Sequence, residues 1–172
     1  ISEIFPNFNL FVYGGVNYEP YRNKFEKMIG KKVDSIELYP ASEGFFAYQD
    51  KQHERGMLLL LNNGIFYEFI KADEFFDKDP KRLTIAEVKI NVNYVMLIST
   101  NAGRWSYNIG DTIQFTSLKP HRVIVSGRIK HFISAFGEHV IAKEVEQALQ
   151  ETVKGTSIQV NEFTVAPQIN PD

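Results

Sequence analysis

Residues 33–44 read VDSIELYPASEG, an apolar stretch that ends in a polar turn. Upstream of it, the apolar residues 10–13 run into Gly14-Gly15. A segment with apolar side chains at helical spacing follows, with a proline in its first turn and Gly30 at its end. Strand, glycine turn, helix and strand form a βαβ unit. The sequence therefore predicts an α/β fold with a parallel pair of strands.

Further strands are predicted downstream, because short apolar runs alternate there with turn residues. Asn62-Asn63-Gly64 is a strong hairpin signal, so the strands that flank it are expected to pair. We expect mixed sheets with flanking helices in residues 1–126, as part of a large domain. Residues 127–172 are expected to hold a hinge and the start of a small α+β domain, with a helix at 141–153. The downstream strands are expected at 45–48, 57–61, 65–70 and 94–99, with 112–115 and 122–125 as an antiparallel pair.

Composition excludes several classes of protein. The chain has 172 residues and a net charge of −2, so neither nucleic acid nor a membrane surface is an expected partner. Its longest apolar run, residues 57–61, is far shorter than the ~20 residues of a membrane-spanning helix. The lack of cysteine excludes disulfides and thiolate chemistry, and it fits a cytoplasmic location. No metal-ligand spacing is present among the four histidines, His53, His121, His131 and His139.

Three polar motifs carry the candidate chemistry. Residues 39–44 follow a predicted strand, at the end of the sheet where α/β proteins bind ligands. Residues 106–111 read SYNIGD and end in Asp111, whose carboxylate is suited to accept both vicinal hydroxyls of a ribose. Residues 126–140 read SGRIKHFISAFGEHV and contain Arg128, whose guanidinium suits ribose or phosphate oxygens.

Each motif also has an ordinary structural interpretation. Residues 39–44 fit a strand and a polar turn with a surface glutamate, and the Gly-Asp pair that ends at Asp111 fits a hairpin turn. Arg128 fits a solvated edge strand, and Gly14-Gly15 fits either a tight turn or an anion-binding helix start. One hairpin between Asp111 and Arg128 would bring both to the same end of the sheet. The residue types alone leave these alternatives open.

The order of the motifs resembles the superfamily of acyl-adenylate-forming ligases. Three segments, ELYPASEG, TNAGRWSYNIGDTIQFTSLKPHRV and GRIKHFISAFGEHV, are similar to one branch, the auxin-responsive promoter family of acyl-acid amido synthetases in its bacterial form. The resemblance implies that ATP activates a small carboxylic acid as an acyl-adenylate. The acyl group then passes to an amine, typically an amino acid, and Mg²⁺ is required.

The resemblance implies that the first motif binds the nucleotide. Tyr39 would stack on the adenine, with Pro40 and Ala41 beside it. Ser42 would lie near the α-phosphate and Glu43 would help to hold Mg²⁺, and both would be catalytic. Pro40 stands where many relatives have glycine, which implies a stiffer turn.

The resemblance implies that the remaining residues bind the ribose, form a hinge and line the acyl pocket. Asp111 would bind the ribose hydroxyls and Arg128 would contact the ribose. Lys130 would lie in the hinge and, like Arg128, would be catalytic. Gly14-Gly15 would line the acyl pocket.

Two departures from the family pattern limit what is expected. Asn108 stands where many relatives have arginine, so that arginine's role is not carried over. The Ser/Thr/Gly-rich phosphate loop of the family is not found, so the chain is expected to be a central fragment and inactive by itself. Two other functions stay open. One is an acyl-CoA ligase, which shares the first step but uses a thiol, and the other is a non-catalytic nucleotide-binding or interaction fragment.

Overall fold

A computed structural model of the chain describes residues 1, 3–15, 18–129, 133–135, 138–140, 142–158, 160 and 163. The helices are α1 (Glu19–Ile29) and α2 (Ala142–Val153). The strands are β1 (Leu10–Gly14), β2 (Asp34–Ala41), β3 (Gly44–Tyr48), β4 (Met57–Leu59), β5 (Ile65–Lys71), β6 (Asn93–Thr100), β7 (Tyr107–Leu118), β8 (His121–Arg128), β9 (Ile133–Ala135) and β10 (Glu138–Val140). The first eight strands form one sheet in the order β1-β2-β3-β4-β8-β7-β6-β5, while β9 and β10 pair separately.

The predicted βαβ unit is confirmed. β1 and β2 pair in parallel, with Tyr13 opposite Glu37 and Gly14 opposite Leu38. Helix α1 ends at Gly30, whose left-handed φ of 85° suits a glycine C-cap. A side chain at Gly14 would meet the carbonyl oxygen of Leu38 at 2.7 Å, so this position needs glycine for the two strands to approach.

The remaining strands of the large sheet pair antiparallel, so the sheet is mixed and the predicted fold class is confirmed. One face of the sheet carries the main apolar core, which includes Phe46, Phe69, Tyr94 and Phe115. Edge-to-face ring contacts link Phe69 to Tyr94 and to Phe115. This packing makes a rigid platform for the polar residues at the ends of β2, β7 and β8.

The predicted hairpin at Asn62-Asn63-Gly64 is wrong. The chain does turn there, with Gly64 at a φ of 82°, but the flanking strands do not pair with each other. β4 lies between β3 and β8, whereas β5 pairs with β6 at the far edge of the sheet. The turn sequence sets the local backbone conformation, but burial of Met57 beside Val123 of β8 sets the strand partner.

Within the described part of the chain, neither helix has the length and apolar character that crossing a membrane would require. The predicted domain boundary falls inside β8, which continues without a break from His121 to Arg128. The following residue, Ile129, is buried against Ile70, Val95 and Leu97 on the second face of the sheet. A division into residues 1–126 and 127–172 stays a prediction.

Candidate functional site

Asp111 lies at the centre of a three-residue polar cluster. Its Oδ2 accepts a hydrogen bond of 2.9 Å from the hydroxyl of Tyr39, and its Oδ1 lies 3.0 Å from Nε of Arg128. Asp111 and Arg128 face each other across β7 and β8, as expected from one intervening hairpin. The hairpin-turn interpretation of Gly110-Asp111 is wrong, because both residues lie inside β7.

Burial shapes the electrostatics of this cluster. Asp111 is 8% exposed, and desolvation raises the pKa of its carboxyl above the ordinary value. The Tyr39 hydroxyl and the Arg128 charge oppose that rise in pKa, because both stabilise the carboxylate. The Arg128 side chain itself is 62% exposed. The cluster thus combines a sheltered acceptor with an accessible cation.

Tyr39 is held by the core as well as by Asp111. Its ring is 5% exposed and packs edge-to-face on Phe46, with the ring centroids 5.2 Å apart. Burial, followed by the nearby Asp111 charge, raises the pKa of the Tyr39 hydroxyl. The hydroxyl therefore stays protonated and donates to Asp111. The stacking of Tyr39 on an adenine stays a prediction.

The turn between β2 and β3 presents the remaining residues of the first motif. Pro40 lies where the β2–β3 register shifts, which suits a residue without a backbone N–H. Ala41 pairs with Gly44, and Ser42 Oγ donates a 3.0 Å hydrogen bond to Glu43 Oε2. A hydroxyl and a carboxylate are therefore presented together at the tip of this turn.

Asn108 supports the backbone beside Asp111. Its Oδ1 accepts a hydrogen bond of 2.8 Å from the backbone N–H of Gly110, which has a φ of 86°. The residue that replaces the arginine of many relatives thus stabilises the left-handed backbone conformation of Gly110, just before Asp111. A short amide is suited to this local bond.

A single cleft of about 1470 Å³ joins these groups. It extends from Asp111 and Arg128 past Ser42 and Glu43 to Gly15 at the start of the α1 connection. Gly15 has a φ of 80°, which favours glycine. Lys130, the other predicted catalytic residue, lies outside the described residues. The structure therefore brings the first and second motifs and Arg128 to one cavity.

The sequence analysis missed the loop of residues 49–56, which forms another wall of the cleft. Arg122, only 1% exposed, holds this loop through paired contacts with Asp50, of which Nη2–Oδ2 is 3.0 Å. Its Nε also lies 3.1 Å from Glu54 Oε1, without the alignment of a hydrogen bond. A charged residue within the apolar run of β8 was the available signal, but it did not identify the partner.

The cleft does not contain a preformed metal site among the described residues, since no three His, Asp or Glu side chains cluster there or elsewhere in them. Glu43 supplies one partly exposed carboxylate at the β2–β3 turn. Mg²⁺ takes oxygen ligands and is often bound by one or two carboxylates together with substrate phosphates. Glu43 therefore fits a metal that arrives with a nucleotide.

The sheet has the fold of solved acyl acid amido synthetases. One structure, described as GH3.15 acyl acid amido synthetase, aligns with 77% of this chain at a TM-score of 0.59 and 18% identity. Another, AtGH3.15 acyl acid amido synthetase in complex with 2,4-DB, aligns with 87% of it at a TM-score of 0.58 and 15% identity. At these identities the likeness defines the fold alone.

Sequence comparison then gives the family. Residues 58–128 match the sequence model of the GH3 family central domain. A jasmonoyl-L-amino acid synthetase, JAR4 of Nicotiana attenuata, is 28% identical over 120 residues, which cover 66% of this chain. Residues 58–128 are therefore similar to the GH3 family central domain, and the predicted resemblance to an amido synthetase family is confirmed.

The chain spans only part of these relatives. It covers 21% of the length of the jasmonoyl-amino acid synthetase, and 24% and 31% of the two solved chains.

Proposed function

We propose that this chain supplies the adenosine end of the active site of an acyl-acid amido synthetase. In the first step, a carboxylate oxygen of the acid attacks the α-phosphorus of ATP, and pyrophosphate leaves. In the second step, an amine attacks the acyl carbon, AMP leaves, and the nitrogen gives up a proton as the amide forms. The proposed substrates are a small carboxylic acid and an amino acid.

One observation carries this proposal: the buried Asp111 carboxylate lies between Tyr39 and Arg128 in the lining of a cleft. Ribose presents two neighbouring hydroxyl donors, and a carboxylate has lone pairs for both. Tyr39 and Arg128 fix the carboxylate before the ligand arrives, so little orientation is lost on binding. The same cleft reaches the turn that carries Ser42 and Glu43.

The remaining residues have proposed roles in the first step. Ser42 supplies a hydroxyl donor for an α-phosphate oxygen, and Glu43 supplies an oxygen ligand for Mg²⁺ that accompanies ATP. Attack of one anion on another is slowed by charge repulsion and by poor alignment, so positioning and neutralisation of the phosphate charge would provide the acceleration. Arg128, whose side chain is largely exposed, adds a positive charge to the lining of the cleft. Lys130 in a hinge stays part of the proposal.

A binding measurement tests the nucleotide assignment directly on the 172-residue chain. We expect adenosine and AMP to bind saturably, with amide shifts in NMR spectra centred on Asp111, Arg128 and the β2–β3 turn. Guanosine serves as the matched control, since it shares the ribose but not the adenine. Absence of saturable binding by both adenosine and AMP would contradict the proposal.

The acceptor is tested in the longer protein that carries this segment. Acid-dependent products formed with amino acids would support an amido synthetase. Products formed only with coenzyme A would instead support an acyl-CoA ligase, and binding without any product would support a non-catalytic fragment.

A further inference from the structure

The end of the cleft away from Arg128 has a distinct polar lining. Tyr13 of β1 and Glu37 of β2 are directly opposite each other in a parallel pair, so their side chains project from the same face of the sheet. Both residues line the cleft and both are partly buried. Tyr39 follows Glu37 by two positions in the same strand, which places it on that face too. The polar lining is therefore continuous with the Asp111 cluster.

Glu37 has unused hydrogen-bonding capacity. Its backbone is satisfied, since its N–H donates to Gln49 Oε1 at 3.0 Å and its carbonyl accepts from the Gln49 N–H at 2.8 Å. Its carboxylate has no hydrogen bond or ion pair with any other residue that the structure describes. Burial, followed by the charge of Glu19, raises the pKa of the Glu37 carboxyl, as expected for a desolvated acid without a cation.

Arg22, a cation that lines the same cleft, does not pair with Glu37. Arg22 of α1 is committed to Glu19, with Nη2–Oε1 at 2.5 Å, and its Nη2 also lies 3.2 Å from Ser35 Oγ. Because Glu19 and Arg22 offset each other, the carboxylate of Glu37 leaves a net negative charge in this part of the cleft. Burial, followed by the Glu37 charge, raises the pKa of the Tyr13 hydroxyl as well, so that hydroxyl is neutral.

A buried hydroxyl packed behind Tyr13, outside the lining of the cleft, also lacks a partner. Tyr18 is 6% exposed, its ring lies 4.9 Å from that of Tyr13, and the Arg22 guanidinium is 4.7 Å from its centroid. Its hydroxyl makes no hydrogen bond within the described residues. Buried polar groups are generally paired in native proteins. The unpaired Glu37 carboxylate, opposite Tyr13 in the lining of the cleft, therefore indicates that a ligand completes this region.

We propose that the Tyr13–Glu37 end of the cleft binds a primary ammonium group of a substrate. This inference rests on the proposed amido synthetase function and specifies its substrate. An ammonium carries three donors and one positive charge, which match a carboxylate and a neighbouring hydroxyl oxygen. An apolar group at this position would leave the carboxylate desolvated and unpaired, and a second carboxylate would be repelled. The ammonium belongs either to the acid that is activated or to the amine acceptor.

Acyl-adenylate analogues test the first source. Three pairs of N-acylsulfamoyl adenosines match in size: β-alanyl with butanoyl, 4-aminobutanoyl with pentanoyl, and 6-aminohexanoyl with heptanoyl. We expect at least one amino analogue to bind the chain about tenfold more tightly than its apolar partner, measured by calorimetry at neutral pH. Glu37→Gln should remove that preference while leaving the apolar analogues within about threefold.

The second possible source of the ammonium group, the amine acceptor, is tested with a free amino acid. Free L-alanine is titrated into the chain saturated with the heptanoyl analogue, and we expect Glu37→Gln to weaken its binding about tenfold if the ammonium comes from the acceptor. Glu26→Gln, which alters a partly buried cleft residue on α1, is the matched control and should change neither result. No preference in any analogue pair, together with no effect of Glu37→Gln on L-alanine, would overturn the inference.

Adenosine separates this failure from failure of the proposed function. Adenosine is expected to bind the native chain and Glu37→Gln equally, because it does not reach the Tyr13–Glu37 end. If adenosine binds and the ammonium preference is absent, only the present inference fails. If neither adenosine nor AMP binds the native chain, the proposed function itself is contradicted. The comparison of paired analogues on the native chain stays informative even if Glu37→Gln does not fold.

Discussion

At the scale of single residues, Asp111 is the group whose charge state matters most to the proposed site. Its raised pKa means that folding favours the protonated carboxyl, so its ionisation costs stability as the pH rises through the folded-state pKa. Ribose recognition works in the opposite direction, because only the ionised carboxylate offers acceptors for both hydroxyls. Binding and stability therefore have opposite dependences on the charge of Asp111.

We predict that adenosine affinity falls as the pH is lowered from 7 towards the raised pKa of Asp111. The loss should begin above about pH 4, the ordinary range of an aspartate, because burial has moved the pKa of Asp111 upwards. Calorimetric titration of the chain across this range measures the effect.

Asp111→Asn is the comparison for this pH profile. It should weaken adenosine binding by about 2–4 kcal/mol at neutral pH, since a charge-assisted pair is lost, and the affinity that remains should no longer follow the native profile. Asp77→Asn, an exposed carboxylate elsewhere, should behave like the native chain. The ribose assignment is refuted if Asp111→Asn binds adenosine with native affinity.

Sequence reasoning was partly successful at this scale. Asp111 and Arg128 were identified because a polar motif and a single hairpin place them together, and their cross-strand contact agrees with that. Glu37 and Tyr13 were not identified as a pair, although Glu37 is two residues from Tyr39 and Tyr13 directly precedes Gly14-Gly15. Their proximity depends on the register between β1 and β2, which an apolar pattern does not fix to the residue.

At the scale of elements, the loop of residues 49–56 is anchored on both sides of the cleft. On one side, Gln52 Nε2 donates to the Ser35 carbonyl at 2.9 Å. On the other, Thr116 Oγ1 donates to the Arg55 carbonyl at 3.0 Å, and Arg122 holds Asp50. The loop thus ties β2 to β7 and β8, so its order should affect the width of the cleft.

We predict that Arg122→Met lowers the free energy of unfolding by about 3 kcal/mol, because it removes a buried cation and leaves Asp50 and Glu54 without it. Equilibrium unfolding in urea measures this change. The matched control is Arg82→Met, whose pair with Glu68 spans 3.6 Å and whose side chain is 54% exposed. Arg82→Met should cost less than about 1 kcal/mol.

The pH dependence of stability gives an independent check on the loop. The hydrogen bonds from Arg122 lower the pKa of Asp50, so this pair stabilises the fold above the ordinary aspartate pKa of about 4 and the stabilisation is lost as the pH falls below it. Arg122→Met should therefore lose part of the acid sensitivity of the native chain. Equal destabilisation by Arg122→Met and Arg82→Met would argue against an anchoring role.

Elements differ in how well the sequence predicts them. The βαβ unit follows from local signals, a Gly-Gly turn, a helical apolar face and the Gly30 cap, and it is confirmed. The predicted hairpin at Asn62-Asn63-Gly64 was wrong because a turn motif does not determine which strands pair with each other. The pairing of β4 with β8 depends on packing between residues far apart in the chain, which local sequence patterns do not reveal.

At the scale of the whole molecule, we predict that the 172-residue chain binds adenosine without catalysing exchange of pyrophosphate into ATP. It covers 21% of the length of a jasmonoyl-amino acid synthetase, so most of the groups that act on the phosphates would lie on other segments. Isotope exchange with a panel of carboxylic acids measures this, with a full-length amido synthetase as the positive control. Exchange above background that Asp111→Asn abolishes would contradict the prediction.

The order of strands in the sheet has a consequence for the time course of synthesis. Tyr39 and Asp111, and likewise Asp50 and Arg122, are 72 positions apart in the chain. At roughly 5–20 residues per second, the second member of each pair leaves the ribosome about 4–14 s after the first. Until then the edge of β4 that β8 will cover stays open, and a nascent chain is exposed to aggregation. This interval is when a chaperone would be most useful.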